Sequence, residues 1–283
     1  MARALGIDFG GTKILAGVVD TDTGEILSQA KKRTRSEQGG DDIFGRLLDV
    51  AKEALQASGT ARHEVQKVGI GVAGQVDRQR GELIRAPNLP NELLGTAIAD
   101  RVQDALKLPV TLANDVVAAA AGEAAFGSGK GHPDFVCVFI GTGIGGAIYQ
   151  AGQPYRGATS TAGEIGHAVI ESGGRVCGCG GLGHLEAYAS RTAIVRTVLG
   201  AMRQGRRTSL ESVDSNPNPD DPAHSPIRSK ALAEAVRVGD ALAISMVTSA
   251  ARYLAAGLVT IVNFYNPPRI ILGGGVVDAV DLY

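Results

Sequence analysis

Tryptophan is absent from the 283-residue chain, and aromatic residues together make up only 4% of it, six Phe and six Tyr. A core of this size therefore has to be filled by aliphatic side chains and glycine, which suits close packing of helices on sheets. Cysteine is almost absent as well. Three residues cannot all pair, so no disulfide framework is expected and a reducing cytoplasm is the default compartment. Neither sign of charge is in excess: 28 Lys and Arg face 29 Asp and Glu, a formal net charge of −1. No basic field exists to hold a phosphate backbone, which argues against nucleic acid as a direct partner. The longest apolar stretch, "ALAISMVTSAARYLAAGLVTIV", is interrupted by Arg252 and reads as a buried helix, not a membrane span. "MARALGID" enters a strand pattern at once and leaves no room for a signal peptide. The expectation is a cytoplasmic protein without a membrane partner.

What the chain has is glycine, 39 residues, and an alternation of strand and helix patterns. "ALGIDFGGTKILAGVVD" is strand, glycine turn, strand, and "EILSQAKKRT" supplies a third strand. "DDIFGRLLDVAKEALQASG" carries Ile43, Leu47, Leu48, Val50, Ala51 and Leu55 at helical spacing and stops on Gly59. "VQKVGIGVAG" and "PVTLAND" read as strands around a helix in "NELLGTAIADRVQDAL". "FVCVFIGTGIGGAIYQ" is again strand, glycine turn, strand, a weak internal repeat of the opening. A length of 283 residues and two such halves predict two α/β lobes, 1–115 and 116–283, with a cleft between them. The polar segment "RQGRRTSLESVDSNPNPDDPAHSPIRSK" reads as a mobile surface loop. A long helix from about Asp240 to Val262 leads into a last buried strand and the glycines of "GGG".

Three glycine turns are candidate phosphate and nucleotide sites. "DFGGTK" offers Gly10 and Gly11 for close backbone approach, the Thr12 hydroxyl, Lys13, and Asp8 at the strand end as a Mg²⁺ ligand. "GTGIGG" places Gly141, Thr142 and Gly143 in the same setting, and Gly274 and Gly275 could let a base or ribose lie against backbone. A plain hairpin turn is the competing reading for each. The strand-to-helix context that a dinucleotide fingerprint needs is missing.

"GEIGHAVIESGGRVCGCGGLGHLE" concentrates scarce residues. Two of the three cysteines and two of the five histidines fall within it. His167, Cys177, Cys179 and His184 are four N and S donors of the kind that hold tetrahedral Zn²⁺ in a closed structural site, and the glycines allow the turns this requires. The alternative is two free thiols in a glycine loop. Cys137 lies in an apolar strand and reads as core; His63, His132 and His224 read as surface residues.

The motifs "GIDFGGTK", "ANDVVAAAAGE", "GTGIGGA", "GEIGH", "CGCGGLGHLE" and "VNFYNPPRIILGGGV", in this order and over nearly the whole chain, resemble the ROK family (repressor, open reading frame, kinase). The resemblance implies the α/β, two-lobed actin-like ATPase (ribonuclease H-like) fold with a zinc loop over 163–186. It implies ATP, Mg²⁺ and a structural Zn²⁺ as cofactors, and Asp115 as the base that accepts the proton of a sugar hydroxyl. Asp115 could equally cap the alanine helix that it opens. Asn114, Glu164, His167 and Glu186 match the family's sugar contacts, with Gly74 and Asn88 at the sugar's edge. The family's third zinc cysteine is here His184. The expected activity is glucokinase-like phosphorylation of a hexose by ATP, with polyphosphate as the other donor to test. Fructose, mannose and N-acetylated amino sugars are the alternative acceptors, and a homodimer or homotetramer is the expected assembly. The rivals from other classes are a sugar-sensing regulator, which would carry a helix-turn-helix segment ahead of "DFGGTK", and a silent carbohydrate-binding module. The chain stops at "GGGVVDAVDLY", where the family continues through further helix and strand, so either the sequence is cut short or the adenine side is unusual.

Overall fold

The computed structural model describes residues 2–86 and 88–283, which pack as two compact units. The first comprises the residues up to Pro133 together with Gly157–Thr161. Its sheet has the order β3-β2-β1-β4-β7, from β1 (Arg3–Phe9), β2 (Lys13–Asp20), β3 (Ile26–Arg33), β4 (Val65–Val72) and β7 (Val110–Asn114). β1, β2 and β3 form an antiparallel meander, while β4 and β7 run parallel to β1. β5 (Gln75–Asp77) and β6 (Glu82–Arg85) form a separate two-stranded ribbon.

Strand alternation sets the chemistry of β1: Leu5, Ile7 and Phe9 are buried, and Gly6 and Asp8 take the opposite face. Helix α1 (Gly40–Ala57) lies over β2 and β3 and buries Ile43, Leu47, Val50, Ala51 and Ala54, the stripe expected from a 3.6-residue period. The helix expected over 91–106 forms only in its second half, α2 (Ile98–Leu106); before it, Asn91–Leu93 makes one 3-10 turn and Gly95 adopts φ 69°. Gly95 in the left-handed region ends any continuous helix there. α3 (Asp115–Ala125) packs on β4 and β7, so the first unit runs on past Asp115, where the sequence places the division, to Pro133.

The second unit comprises Asp134–Arg156 and Ala162–Tyr283. Its sheet, β10-β9-β8-β11, is built from β8 (Phe135–Ile140), β9 (Ile144–Gln150), β10 (Gln153–Tyr155) and β11 (Ile270–Gly273). β8 pairs antiparallel with β9 and parallel with β11. The arrangement repeats β3-β2-β1-β4 of the first sheet, with a glycine turn at the same point of each hairpin. Cys137 is fully buried in β8, as expected.

Helices α4 (Glu186–Ala189), α5 (Arg191–Arg203), α6 (Ser229–Arg237) and α7 (Ala241–Tyr265) complete the unit, with α7 packed on the other three. By length and composition α7 could cross a membrane; here Leu242, Ala243, Val247, Ala250, Leu254 and Gly257 are buried against protein. The segment between α5 and α6, read from sequence as a mobile loop, is pinned to the core by Leu210 and Ile227, and the Ser225 hydroxyl donates to the buried Asp214 carboxylate at 2.8 Å.

Asp240 caps α7. Its carboxylate accepts from the Ala243 amide at 2.9 Å, the Thr208 hydroxyl at 2.7 Å and the Ser209 amide at 2.6 Å. Partial burial alone would raise its pKa, but these bonds outweigh that and hold it at about 2. Asp240→Ala is expected to cost about 1 kcal/mol of stability at neutral pH, the usual worth of a helix cap. Because the folded-state pKa is depressed, the contribution is present above the unfolded value and lost as pH falls towards 2. Chemical denaturation of both proteins at pH 7 and pH 2.5 checks it: the difference should shrink at the lower pH.

Candidate active site and metal centre

In the first unit the β1–β2 turn closes through a bond from the Gly10 amide to the Lys13 carbonyl at 3.1 Å. Its outer carbonyls are fixed by the Thr34 hydroxyl on Gly10 O at 2.5 Å and the Ser36 hydroxyl on Gly11 O at 2.7 Å. A Cβ on Gly11 would lie 2.3 Å from the Asn88 carbonyl oxygen, so glycine is what lets the turn sit against Asn88. Thr12 and Lys13 are exposed.

Asp8 and Asp115 stand at the ends of β1 and β7 within reach of each other's charge. Desolvation by the surrounding protein lifts the Asp8 carboxyl above its ordinary value, and the Lys13 ammonium partly offsets this. Asp115 is raised too, first by burial and then by the Asp8 charge, against the lowering effect of the Val116 amide, which donates to it at 2.9 Å. Asn114, not Asp115, is the N-cap of α3: its Oδ1 accepts from the Val116 amide at 2.9 Å and the Val117 amide at 3.2 Å. Its Nδ2 donates to the Gly74 carbonyl at 3.0 Å, which ties the site to the β4–β5 connection. Gly74 cannot carry a side chain there, since a Cβ would lie 2.3 Å from the Arg85 carbonyl oxygen.

In the second unit, the β8–β9 turn is built against the segment rich in Cys and His. Glu186, the first residue of α4, accepts from the Ile144 amide through Oε2 at 2.9 Å, and its Oε1 lies 3.4 Å from the Cys177 sulfur. One carboxylate thus joins the glycine turn to the cysteine loop. A Cβ on Gly143 would come within 2.2 Å of Glu186 Oε2, and one on Gly166 within 2.1 Å of the Ile144 carbonyl oxygen. Gly166 is required by close approach to backbone, whereas a side chain at position 143 would displace the Glu186 carboxylate.

His167, Cys177, Cys179 and His184 converge, with all four ligand atoms within 4.8 Å of one another. His167 Nδ1 lies 3.8 Å from Cys177 Sγ, and His184 Nδ1 lies 3.2 Å from Cys179 Sγ. Zn–S bonds of about 2.3 Å and Zn–N bonds of about 2.0 Å in a tetrahedron put ligand atoms roughly 3.3–3.8 Å apart, so the donor set fits Zn²⁺ in type, and the two His–Cys pairs lie near those spacings. Burial, with the Glu186 charge adding to it, pushes the Cys177 thiol up to about 12; a divalent cation would reverse such a preference, since it binds the thiolate. The other nitrogen of His167, Nε2, faces Glu164 Oε2 at 3.9 Å, and both side chains are partly exposed.

Gly274, with φ 95°, rests on the end of β8, where a Cβ would lie 2.6 Å from the Ile140 carbonyl oxygen. The Val276 amide donates to that same oxygen at 3.1 Å, which fixes the turn containing Gly275.

Two residues that sequence reading passes over support this region. The Tyr188 hydroxyl accepts from the Arg175 amide at 2.6 Å while its ring packs on Tyr253 at 4.4 Å, bracing the cysteine loop. Arg191 donates from Nη2 to the Thr142 hydroxyl oxygen at 2.9 Å. A sequence signal existed for Arg191: a cation directly after Ser190, a good N-cap, stands at the wrong end of a helix for the macrodipole.

Comparison with known proteins gives a consistent result. The ROK family model matches residues 4–283. The glucokinase of Streptomyces coelicolor is 36% identical over 285 residues, covering 100% of this chain and 84% of the relative. The glucokinase of Thermotoga maritima is 31% identical over 280 residues, covering 99% of this chain and 84% of the relative. Among solved structures, a ROK family glucokinase from Streptomyces griseus in complex with glucose and AMPPNP has a TM-score of 0.83 at 36% identity, over 99% of this chain and 86% of that one.

Proposed function

Because the chain belongs to the ROK family, we propose that it is an ATP-dependent glucokinase that transfers the γ-phosphoryl group to a hydroxyl of glucose. It is a carbohydrate kinase with the mixed α/β fold of the actin-like ATPases. The observation that carries the reading is the state of Asp115: Asn114 takes the capping duty, and burial together with Asp8 holds the Asp115 carboxyl above the ordinary range. A buried carboxylate that is not the cap of its helix and is tuned upward suits a general base.

As the sugar oxygen bonds to the γ-phosphorus, its proton passes to Asp115, and the bond from phosphorus to the β,γ-bridging oxygen breaks to leave ADP. The turns at Gly10–Lys13 and Gly141–Gly143 hold the phosphates, and Gly274 and Gly275 flank the nucleoside. Asp8 would hold Mg²⁺, whose charge offsets that of the phosphates. His167, Cys177, Cys179 and His184 would hold a structural Zn²⁺, which sets the loop's shape and takes no part in proton transfer. Glu164, His167 and Glu186, with the remaining N–H of Asn114, bind sugar hydroxyls, because several carboxylates and amides satisfy a polyol when it is desolvated. The enzyme is cytoplasmic and works as a homo-oligomer.

A coupled assay with ATP and Mg²⁺ across glucose, fructose, mannose, N-acetylglucosamine and N-acetylmannosamine tests it. Glucose is expected to give the highest kcat/KM. Failure to phosphorylate any hexose overturns the proposal, and a preference for another sugar reassigns the acceptor.

A further inference from the structure

Among the described residues, three charged side chains are more than nine-tenths buried: Asp20, Asp214 and Arg191. Both aspartates have partners. Asp20 accepts from the Asp22 and Thr23 amides, and Asp214 from the Ser225 hydroxyl. Arg191 does not balance in this way. Its Nη2 donates to Thr142, its Nη1 has no hydrogen-bond partner, and no carboxylate pairs with it among the described residues. A guanidinium buried without a counter-charge is among the costlier arrangements a fold can hold.

Its surroundings add to that cost. Arg191 is the first residue of α5, where the helix dipole opposes a cation. Burial, and after it the positive charge of Arg228, pull its pKa below the usual guanidinium value. The bond to the Thr142 hydroxyl offsets these costs only in part, whereas an anion at Nη1 would oppose the burial, the dipole and the Arg228 charge together.

The position is where an α/β sheet receives a ligand, at the carboxyl ends of parallel strands. The Arg191 amide donates to Gly141 O at 3.0 Å, and the Thr192 hydroxyl to Thr142 O at 2.6 Å, so α5 starts directly on the glycine turn after β8. The Gly274 turn after β11 rests on Ile140, and Gly275 faces Ser229 at the start of α6, one residue after Arg228. The first amides of α5 are used within the chain, by Gly141 O and by the Ser190 hydroxyl, which takes the Ala193 amide at 3.1 Å. Arg191 Nη1 therefore remains as a buried donor, and the Thr142 hydroxyl hydrogen stands beside it, since that hydroxyl's oxygen is already engaged as acceptor by Nη2.

We propose that Arg191 is a phosphate-binding residue: with the Thr142 hydroxyl it takes a phosphoryl oxygen of the donor nucleotide at the end of β8, and Arg228 adds charge from the rim. The inference rests on the reading of the chain as an ATP-dependent kinase and adds a residue to its donor side. Arg191 also acts on Thr142 directly, since the Nη2 bond fixes that hydroxyl with its hydrogen free to donate. The binding energy of the phosphate is what the unpaired charge is held for.

The test uses the full chain, wild type, R191M and R191K, titrated by calorimetry without sugar against Mg²⁺–ADP, adenosine, pyrophosphate and glucose 6-phosphate. A charge-assisted bond to phosphate lost from a desolvated site should weaken ADP about 10- to 100-fold in R191M, with adenosine changed less than about twofold and R191K in between. The ligand-free unfolding midpoint of R191M should equal or exceed that of wild type, because the charge removed has no partner to strand. The proposal is overturned if ADP binds R191M as tightly as wild type, if ADP and adenosine weaken equally, or if only glucose 6-phosphate binding is lost. Failure of R191M to fold contradicts the predicted midpoint but leaves the phosphate contact to R191K. That variant keeps the charge but cannot reach Thr142 and a phosphate together: ADP weakened at least about fivefold with adenosine unaffected supports the contact, and unchanged ADP removes it. Loss of pyrophosphate binding in R191M, in a protein that ignores ADP, supports the residue with a non-nucleotide donor. A wild type that phosphorylates glucose, with ADP binding indifferent to Arg191, overturns this inference and leaves the kinase reading standing.

Discussion

Asp115→Asn is expected to lower kcat by ~10²–10⁴, the usual worth of a general base, while glucose still binds. The change is isosteric, and the amide oxygen can still accept from the Val116 amide as Oδ1 does now. The cap of α3 is untouched, because it belongs to Asn114. Loss of turnover would therefore report the chemistry and not the fold. A base works unprotonated, so wild-type kcat should fall with decreasing pH through the Asp115 pKa, and that pKa lies above the ordinary aspartate value. Asp8→Asn removes the like charge that contributes to the shift and should move the acid limb of the surviving activity to lower pH. Steady-state kinetics over pH 4–8, paired with glucose titrations, provide the check. Wild-type turnover in Asp115→Asn would remove Asp115 from the mechanism.

The second large effect is expected at the metal centre. Protein purified without added metal should carry about one Zn²⁺ per chain, and Cys177→Ala combined with Cys179→Ala should reduce this to near zero. Metal binding in small zinc domains contributes on the order of 10 kcal/mol to folding. Even a third of that should lower the unfolding midpoint of a chain this size by about 6 °C. His184→Cys should retain the metal, since a thiolate replaces an imidazole in the same tetrahedron, and His184→Ala should weaken it. Elemental analysis and calorimetry of the four proteins decide the matter; zinc-free wild type, or full occupancy in the double variant, would leave the cluster without a metal role.

Both sites were legible in sequence to different depths. The Cys and His cluster stood out because those residue types are scarce elsewhere, and the glycines between them announced tight turns. Asp8 was legible because it stands at a strand end just before the glycine turn of "DFGGTK". The choice of cap was not. Asn114 and Asp115 are adjacent and both cap helices well, so which one spends its side chain on α3 depends on where β7 ends. Nor could the sequence tell why Gly166 must be glycine, because the atom it admits, the Ile144 carbonyl oxygen, belongs to another element. The polar run before α6 misled for a similar reason: Leu210 and Ile227 are isolated in a hydrophilic segment, and only tertiary packing reveals them as anchors. Arg191 carries its signal in a helix start, and α5 was not itself recognised.

The pairing of β8 with β11 has a consequence for how the chain reaches its native state. Val136 meets Ile270, 134 residues later, in parallel. At synthesis rates of about 5–20 residues per second, β8 waits on the order of 10 s for that neighbour. The β8–β9–β10 hairpins can form at once from local sequence, whereas the parallel contact carries the loop-closure cost of a long separation and should come late. Until then one edge of "FVCVFI", among the most apolar strands in the chain, lies bare to other chains. Slower translation lengthens this interval, and cooling weakens the hydrophobic attraction that makes the edge adhesive. The yield of soluble protein should therefore depend on chaperone supply and growth temperature more than on the stability of the finished fold.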